Sequence, residues 1–218
     1  MDRDHLQLAT PETAGSQPAC RLPAILGIMG APLFMPVQVT HGHVRGDPAA
    51  PIALVEFGDY QCPRCGAAHS IVETIRRHFG RQLRFVFRHF PLTALHPRAL
   101  RAAEVGEAAG AQAKFWEMHD TLFEHQEALE DDDLLLYAVE IGIDAGRCAR
   151  ELAERTHRLR VREDLVFGIQ YGVTRTPTFF INGLRHLGGY DPELLLTRIE
   201  QIATAPVLIG GGCCPTAP

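Results

Sequence analysis

The chain is 218 residues long, 46% hydrophobic and 22% charged, with a formal net charge of −5. That balance supports a packed core and excludes a wholly disordered chain, and the acidic excess argues against nucleic acid as a partner. No uninterrupted apolar run reaches the ~20 residues of a membrane helix, and at about 150 residues per domain the length suits one large domain or a domain carrying an insertion.

Residues 1–50 read as a poorly ordered leader and linker. Arg21 to Val39 is apolar but broken by Pro23, Pro32 and Pro36. The segment before it sets Asp2, Asp4 and Glu12 against Arg3 and Arg21, unlike the basic start of a secretory signal. The cytoplasm is therefore the expected compartment, with export the alternative if the apolar segment acts as a signal. Thr40 to Pro51 is a Gly/Pro-containing connector and marks a domain boundary. The domain itself is expected over 51–205.

Ile52 to Tyr60 reads as a buried strand, short and rich in β-formers. From Cys62 the spacing turns helical, with Ala67, Ala68, Ile71, Val72, Ile75 and Phe79 recurring on one face and Gly80 closing the segment. Leu83 to Phe90 is a second strand, which makes a βαβ unit. A helical insertion follows over about 97–168. It comprises Pro97 to Ala109, Lys114 to His125, a helix that starts at Asp131, Asp132 and Asp133, and a further, strongly charged helical stretch from Asp144 to about Gly168. The acidic run reads as a helix start, where negative charge is favourable, rather than as a metal site. Thr176 to Gly183 is a strand ending in an Asn-Gly hairpin turn, with a short return strand after it. Asp191 and Pro192 open a closing helix, and residues 206–218 form a glycine-rich flexible tail. The fold class is thus α/β, a βαβ half and a ββα half separated by helices.

The six cysteines are Cys20, Cys62, Cys65, Cys148, Cys213 and Cys214, too few and too unevenly spaced for a disulfide-stapled secreted scaffold. Cys148 lies in a helical pattern and reads as a small buried residue. Cys62 and Cys65, in EFGDYQCPRCGAAHS, stand where a helix begins. Unpaired N–H groups and a partial positive charge concentrate there and favour a thiolate at Cys62. Pro63 fits the first turn, where its missing N–H does no harm. Arg64 adds a permanent charge expected to lower the Cys62 pKa further. Cys65 is one turn on, within reach of a disulfide. A structural zinc site needs four ligands, of which the pair supplies two; Cys213 and Cys214 could complete the set, but adjacent cysteines on a glycine tail suit tetrahedral geometry poorly, and His69, a turn past Cys65, reads as a solvent-facing or packing residue. A purely structural disulfide across so short a loop would constrain little. The residues suit a reversible redox pair with no diffusible cofactor and no metal.

VEFGDYQCPRC, RFVFRHFPL, AKFWEMHDTLFEHQ and GVTRTPTFFINGLRHLGGYD, in that order, resemble the thioredoxin-fold superfamily and its DsbA-like branch. They are close to the bacterial module that stands alone or is fused behind a sodium/proton antiporter. The resemblance implies that Cys62 attacks and Cys65 resolves. It implies that Thr176–Pro177 is a cis-proline loop facing the cysteines, and that Glu56 is a partly buried acid with a raised pKa that exchanges protons with Cys65. Thr176, Pro177, Pro63 and Arg64 are then the substrate-binding residues. Where the periplasmic oxidase has Pro-His between its cysteines this chain has Pro-Arg, and that dipeptide affects the redox potential. The implied activity is thiol–disulfide exchange with protein or peptide thiols and a recycling redox partner. The rival readings are a non-catalytic redox-sensing or partner-binding module, an isomerase, and a role for the Cys213–Cys214 tail as a shuttle.

Overall fold

A computed structural model describes residue 35 and residues 42–204. The leader, Cys20 and the tail with Cys213 and Cys214 lie outside the described residues. A five-stranded sheet runs in the order β1 (His43–Arg45), β3 (Leu83–His89), β2 (Ile52–Gly58), β4 (Thr178–Ile181), β5 (Leu184–Arg185). Strands β2 and β3 are parallel, and every other pairing is antiparallel. All seven residues of β2 are buried, as befits a central strand covered on both faces.

Because side chains alternate along a strand, β2 feeds two cores. Ile52 and Leu54 join the larger one, with Phe85, Phe87, Phe179 and both Cys62 and Cys65. Val55 and Phe57 join a second on the opposite face, with Val86, Phe90 and Phe180. Helix α1 (Pro63–Phe79) connects β2 to β3 and ends at Gly80. Helix α7 (Pro192–Thr204) lays Leu195 and Ile199 on the larger core. Asp191 caps α7 by accepting from the Leu194 N–H at 2.9 Å.

Between β3 and β4 lie α2 (Ala99–Gly110), α3 (Phe115–Glu124), α4 (Asp131–Glu140), α5 (Ala145–Ala153) and α6 (Arg158–Gln170). Asp131–Asp133 do open a helix: the Asp133 carboxylate accepts from the Glu130 N–H at 3.1 Å, and Asp131 accepts from Arg101. Helix α6 closes the second core with Leu165 and Phe167. Its Asp164, fully buried, accepts from Arg88 on β3 at 2.9 Å and from the His89 N–H at 3.2 Å.

The structure refines two expectations from the sequence. The connector is not bare linker: His43–Arg45 pair with Phe85–Phe87 of β3, so the sheet begins before residue 51. The strand is held by side chains that reach far along the chain. Arg45 donates to Asp120 at 2.9 and 2.7 Å and to Glu73 at 3.1 Å, His43 meets Glu107 at 2.9 Å, and Trp116 donates to the Val44 carbonyl at 3.2 Å. The stretch from Asp144 is two helices rather than one. Arg155 takes a left-handed φ of 56°. The Thr156 N–H reaches the Glu151 carbonyl at 2.9 Å and the Arg155 N–H reaches Leu152 at 3.3 Å, the paired bonds of a Schellman helix stop.

Candidate active site

Cys62 is the N-cap of α1 and Pro63 its first residue. The Cys62 carbonyl accepts from the N–H groups of Cys65 (2.9 Å) and Gly66 (3.2 Å), so the helix is wound from the cysteine itself. Cys62 is 5% exposed and Cys65 not at all; both are free thiols. Their acidities diverge. The Cys65 thiol donates to the Cys62 sulfur, and this, with help from Thr176 and from the N–H groups of Cys65 and Arg64, overcomes burial and holds Cys62 down at about 5. Burial, the same hydrogen bond and the charges of Glu56 and Cys62 push Cys65 well above the usual thiol range. At neutral pH Cys62 is a thiolate and Cys65 a donor. Arg64 acts here through its backbone N–H rather than through the guanidinium charge expected from the sequence; its side chain is exposed and lines a groove.

Glu56 follows from the sheet register. Its Cα partners are Phe87 on β3 and Phe179 on β4, both members of the larger core, so the carboxyl sits in a row between two aromatic residues. Its Oε1 has no hydrogen-bond partner among the described residues. Burial, then the Cys62 charge, push its pKa up to about 8. A carboxyl in that range exchanges protons near neutral pH.

Two residues that no motif signals hold the loop ahead of the cysteines. Asp59, 2% exposed, accepts from the N–H groups of Gln61 and Leu92, each at 2.8 Å, and lies 2.8 Å from His96 Nδ1. Its own carbonyl accepts from the Cys62 N–H at 3.1 Å. Gln126, between α3 and α4, donates from one amide to the carbonyls of Tyr60 (2.8 Å) and Cys62 (2.9 Å). That approach needs the glycine after Cys65, since a Cβ at Gly66 would stand 2.0 Å from Gln126 Oε1.

Across from the helix start, the Thr176–Pro177 bond is cis, and Cys62 Sγ as a thiol donates to the Thr176 carbonyl at 3.6 Å. Thr176 is 4% exposed and its hydroxyl has no partner among the described residues, so it is available to a thiolate at Cys62. Pro63 is exposed at the rim. Arg64, Arg175, Thr176 and Pro177 line a groove of about 560 Å³ together with Leu187 and Tyr190.

Two clusters of ligand-type side chains exist among the described residues, His43–His89–Glu107 and His69–His119–Asp120, and neither includes the cysteines. Glu107 already takes hydrogen bonds from both of its histidines, at 2.9 and 3.0 Å, and Asp120 is taken by Arg45.

Comparison with known proteins agrees with this fold. A protein named Na(+)/H(+) antiporter NhaA 1 from Mycobacterium sp. (strain KMS) is 44% identical over 174 residues, 79% of this chain and 28% of the relative. A protein of the same name from Salinispora arenicola (strain CNS-205) is 45% identical over 186 residues, 84% of this chain and again 28% of the relative. The chain thus matches little more than a quarter of the length of these relatives. Among solved structures, oxidised BdbD from Bacillus subtilis superposes with a TM-score of 0.73 at 23% identity, covering 80% of this chain and 99% of that one. The thiol-disulfide exchange protein alpha-DsbA2 from Wolbachia pipientis gives 0.65 at 20%, covering 74% and 87%. Both share the fold. Residues 38–201, which hold all five strands up to the last turn of α7, match the family model described as Thioredoxin, and the chain belongs to the thioredoxin family with a DsbA-like fold.

Proposed function

We propose that the chain is a thiol–disulfide oxidoreductase that passes two electrons between the Cys62–Cys65 pair and the thiols or disulfides of proteins or peptides. The observation that carries this is the opposed acidity of two sulfurs in hydrogen-bond contact at one helix start. In the reducing direction the Cys62 thiolate attacks one sulfur of a substrate disulfide. The substrate S–S bond breaks, one substrate sulfur leaves as thiolate, and a mixed disulfide forms at Cys62. Cys65 then loses its proton to Glu56 and attacks Cys62 Sγ, releasing the second substrate thiolate and leaving the Cys62–Cys65 disulfide. The oxidising direction is the reverse. A recycling redox partner restores the starting state, and Pro63, Arg64, Thr176 and Pro177 bind the substrate chain beside the sulfur.

The test is a pair of variants. Cys62→Ser is expected to abolish reduction of a peptide disulfide. Cys65→Ser is expected to accumulate a covalent adduct, visible by mass and released by dithiothreitol. Full activity in both variants would place the chemistry elsewhere.

The names of the relatives favour one second reading, a non-catalytic module that senses redox state and presents it to a partner such as a transport protein. Turnover with a recycling reductant separates the two. A module of the second kind reacts once per molecule and stops, whereas the oxidoreductase continues for many cycles.

A further inference from the structure

The groove beside Cys62 carries charge of one sign. Arg64 from α1, Arg175 from the Thr176–Pro177 loop and Arg185 from β5 all line it, and no aspartate or glutamate among the described residues does. None of the three forms an ion pair among the described residues. Arg185 is steadied by the Gly172 carbonyl at 2.7 Å, which fixes its place without neutralising it. The nearest acid in sequence, Asp191, is engaged at the start of α7. His186 adds no charge at neutral pH, because burial and then Arg198 lower its pKa. This cationic strip lies on a chain whose formal net charge is −5, so it is a local choice and not an overflow of basic residues. A concave wall with one sign of charge concentrates ligands of the other sign. Its size favours a polypeptide over a small ion: the groove measures about 560 Å³, and its lining includes Tyr190 and Leu187, which is 89% exposed. The backbone of Thr176, one of the lining residues, belongs to neither strand nor helix and is placed to pair with an extended chain.

We infer that the groove selects polypeptide disulfides whose cysteines are flanked by aspartate or glutamate, with Arg64, Arg175 and Arg185 as the specificity-determining side chains. This rests on the thiol–disulfide reading above, and the electrons move as described there: the Cys62–Cys65 dithiol is oxidised and the peptide disulfide is reduced. The consequence is kinetic first, since rim charges act mainly on encounter and lose effect as salt screens them.

The experiment mixes the pre-reduced chain, in single turnover, with three disulfide-linked peptides that differ only in carrying Glu, Ser or Lys beside the cysteine. At low ionic strength the Glu peptide is expected to react roughly tenfold faster than the Lys peptide, with the Ser peptide between, and the spread is expected to narrow at high salt. Arg175→Gln should shrink the Glu-to-Lys ratio several-fold, and Arg175→Lys should keep it. Equal rates for the three peptides, or a faster Lys peptide, would overturn the inference while leaving the oxidoreductase reading intact. Preference for glutathione disulfide with no spread among the peptides would also overturn it, assigning the groove to a small anion. Failure of every peptide and of neutral bis(2-hydroxyethyl) disulfide together would instead sink the underlying reading.

Discussion

At the scale of single residues, the site consists of three acidic groups moved off their ordinary values by identifiable neighbours. Cys62 is held at about 5 first by the Cys65 thiol, so Cys65→Ala should raise its titration midpoint towards the unperturbed range, as read from thiolate absorbance. A midpoint unchanged in that variant would transfer the effect to the helix N–H groups. Glu56 is displaced the other way. Its folded value, about 8, lies above that of an unfolded glutamate, so its ionisation works against the fold. The penalty is absent below the unfolded value near 4.5, grows as pH rises through that range, and is complete above about 8. At about 1.4 kcal/mol per pKa unit the full effect is on the order of 5 kcal/mol. Glu56→Gln is therefore expected to stabilise the reduced protein increasingly from acid to alkaline pH, measured by urea denaturation. Stability that tracks wild type at every pH would mean that Glu56 is solvated after all.

At the scale of elements, the Asp164 contact ties α6 to the sheet, because its carboxylate receives Arg88 and the His89 N–H out of water. Removing one side of a buried pair strands the other charge. Asp164→Ala should destabilise the protein by ~3–5 kcal/mol, seen as a lower urea midpoint with an unchanged slope; a shift under ~1 kcal/mol would show that Arg88 finds other partners. The sequence made most elements readable through local signals: the buried run of β2, the helical spacing of α1 with its closing glycine, and Asn182-Gly183 before β5. Strand β1 escaped because three residues are too few for a periodic signal, and its ties to Glu107 and Asp120 span 64 and 75 residues of sequence. The stop between α5 and α6 escaped because Arg155 stands where the motif ordinarily shows glycine. The cysteines, Glu56, Thr176 and Pro177 were legible by motif and resemblance. Asp59 and Gln126 were not, since they work on backbone groups that meet them only once the chain has folded.

At the scale of the whole molecule, the two cysteine acidities set how redox state answers to pH. Cys62 has a folded value below its unfolded one, so its stabilisation of the reduced form is complete above the unfolded value near 9 and is lost as pH falls through about 5. Above about 5, reduction takes up two electrons and one proton, because Cys65 is protonated and Cys62 is not. The reduction potential should therefore fall about 30 mV per pH unit there and about 60 mV per unit below it. Equilibration with redox buffers across acid and neutral pH checks this. A single slope with no break near pH 5 would contradict the assignment of the thiolate.

Gln126 gives the helical insertion a consequence for anyone who would simplify this module. Its amide comes from the link between α3 and α4, yet it is one of the fastenings on the main chain of the CPRC loop. Trimming the chain to its strands and outer helices would keep both cysteines but take the side-chain donor from the Tyr60 carbonyl and leave the Cys62 carbonyl to the helix N–H groups alone. Transplanting the CPRC segment onto a smaller scaffold meets the same obstacle, and the first thing to supply in such a redesign is a substitute for that one amide.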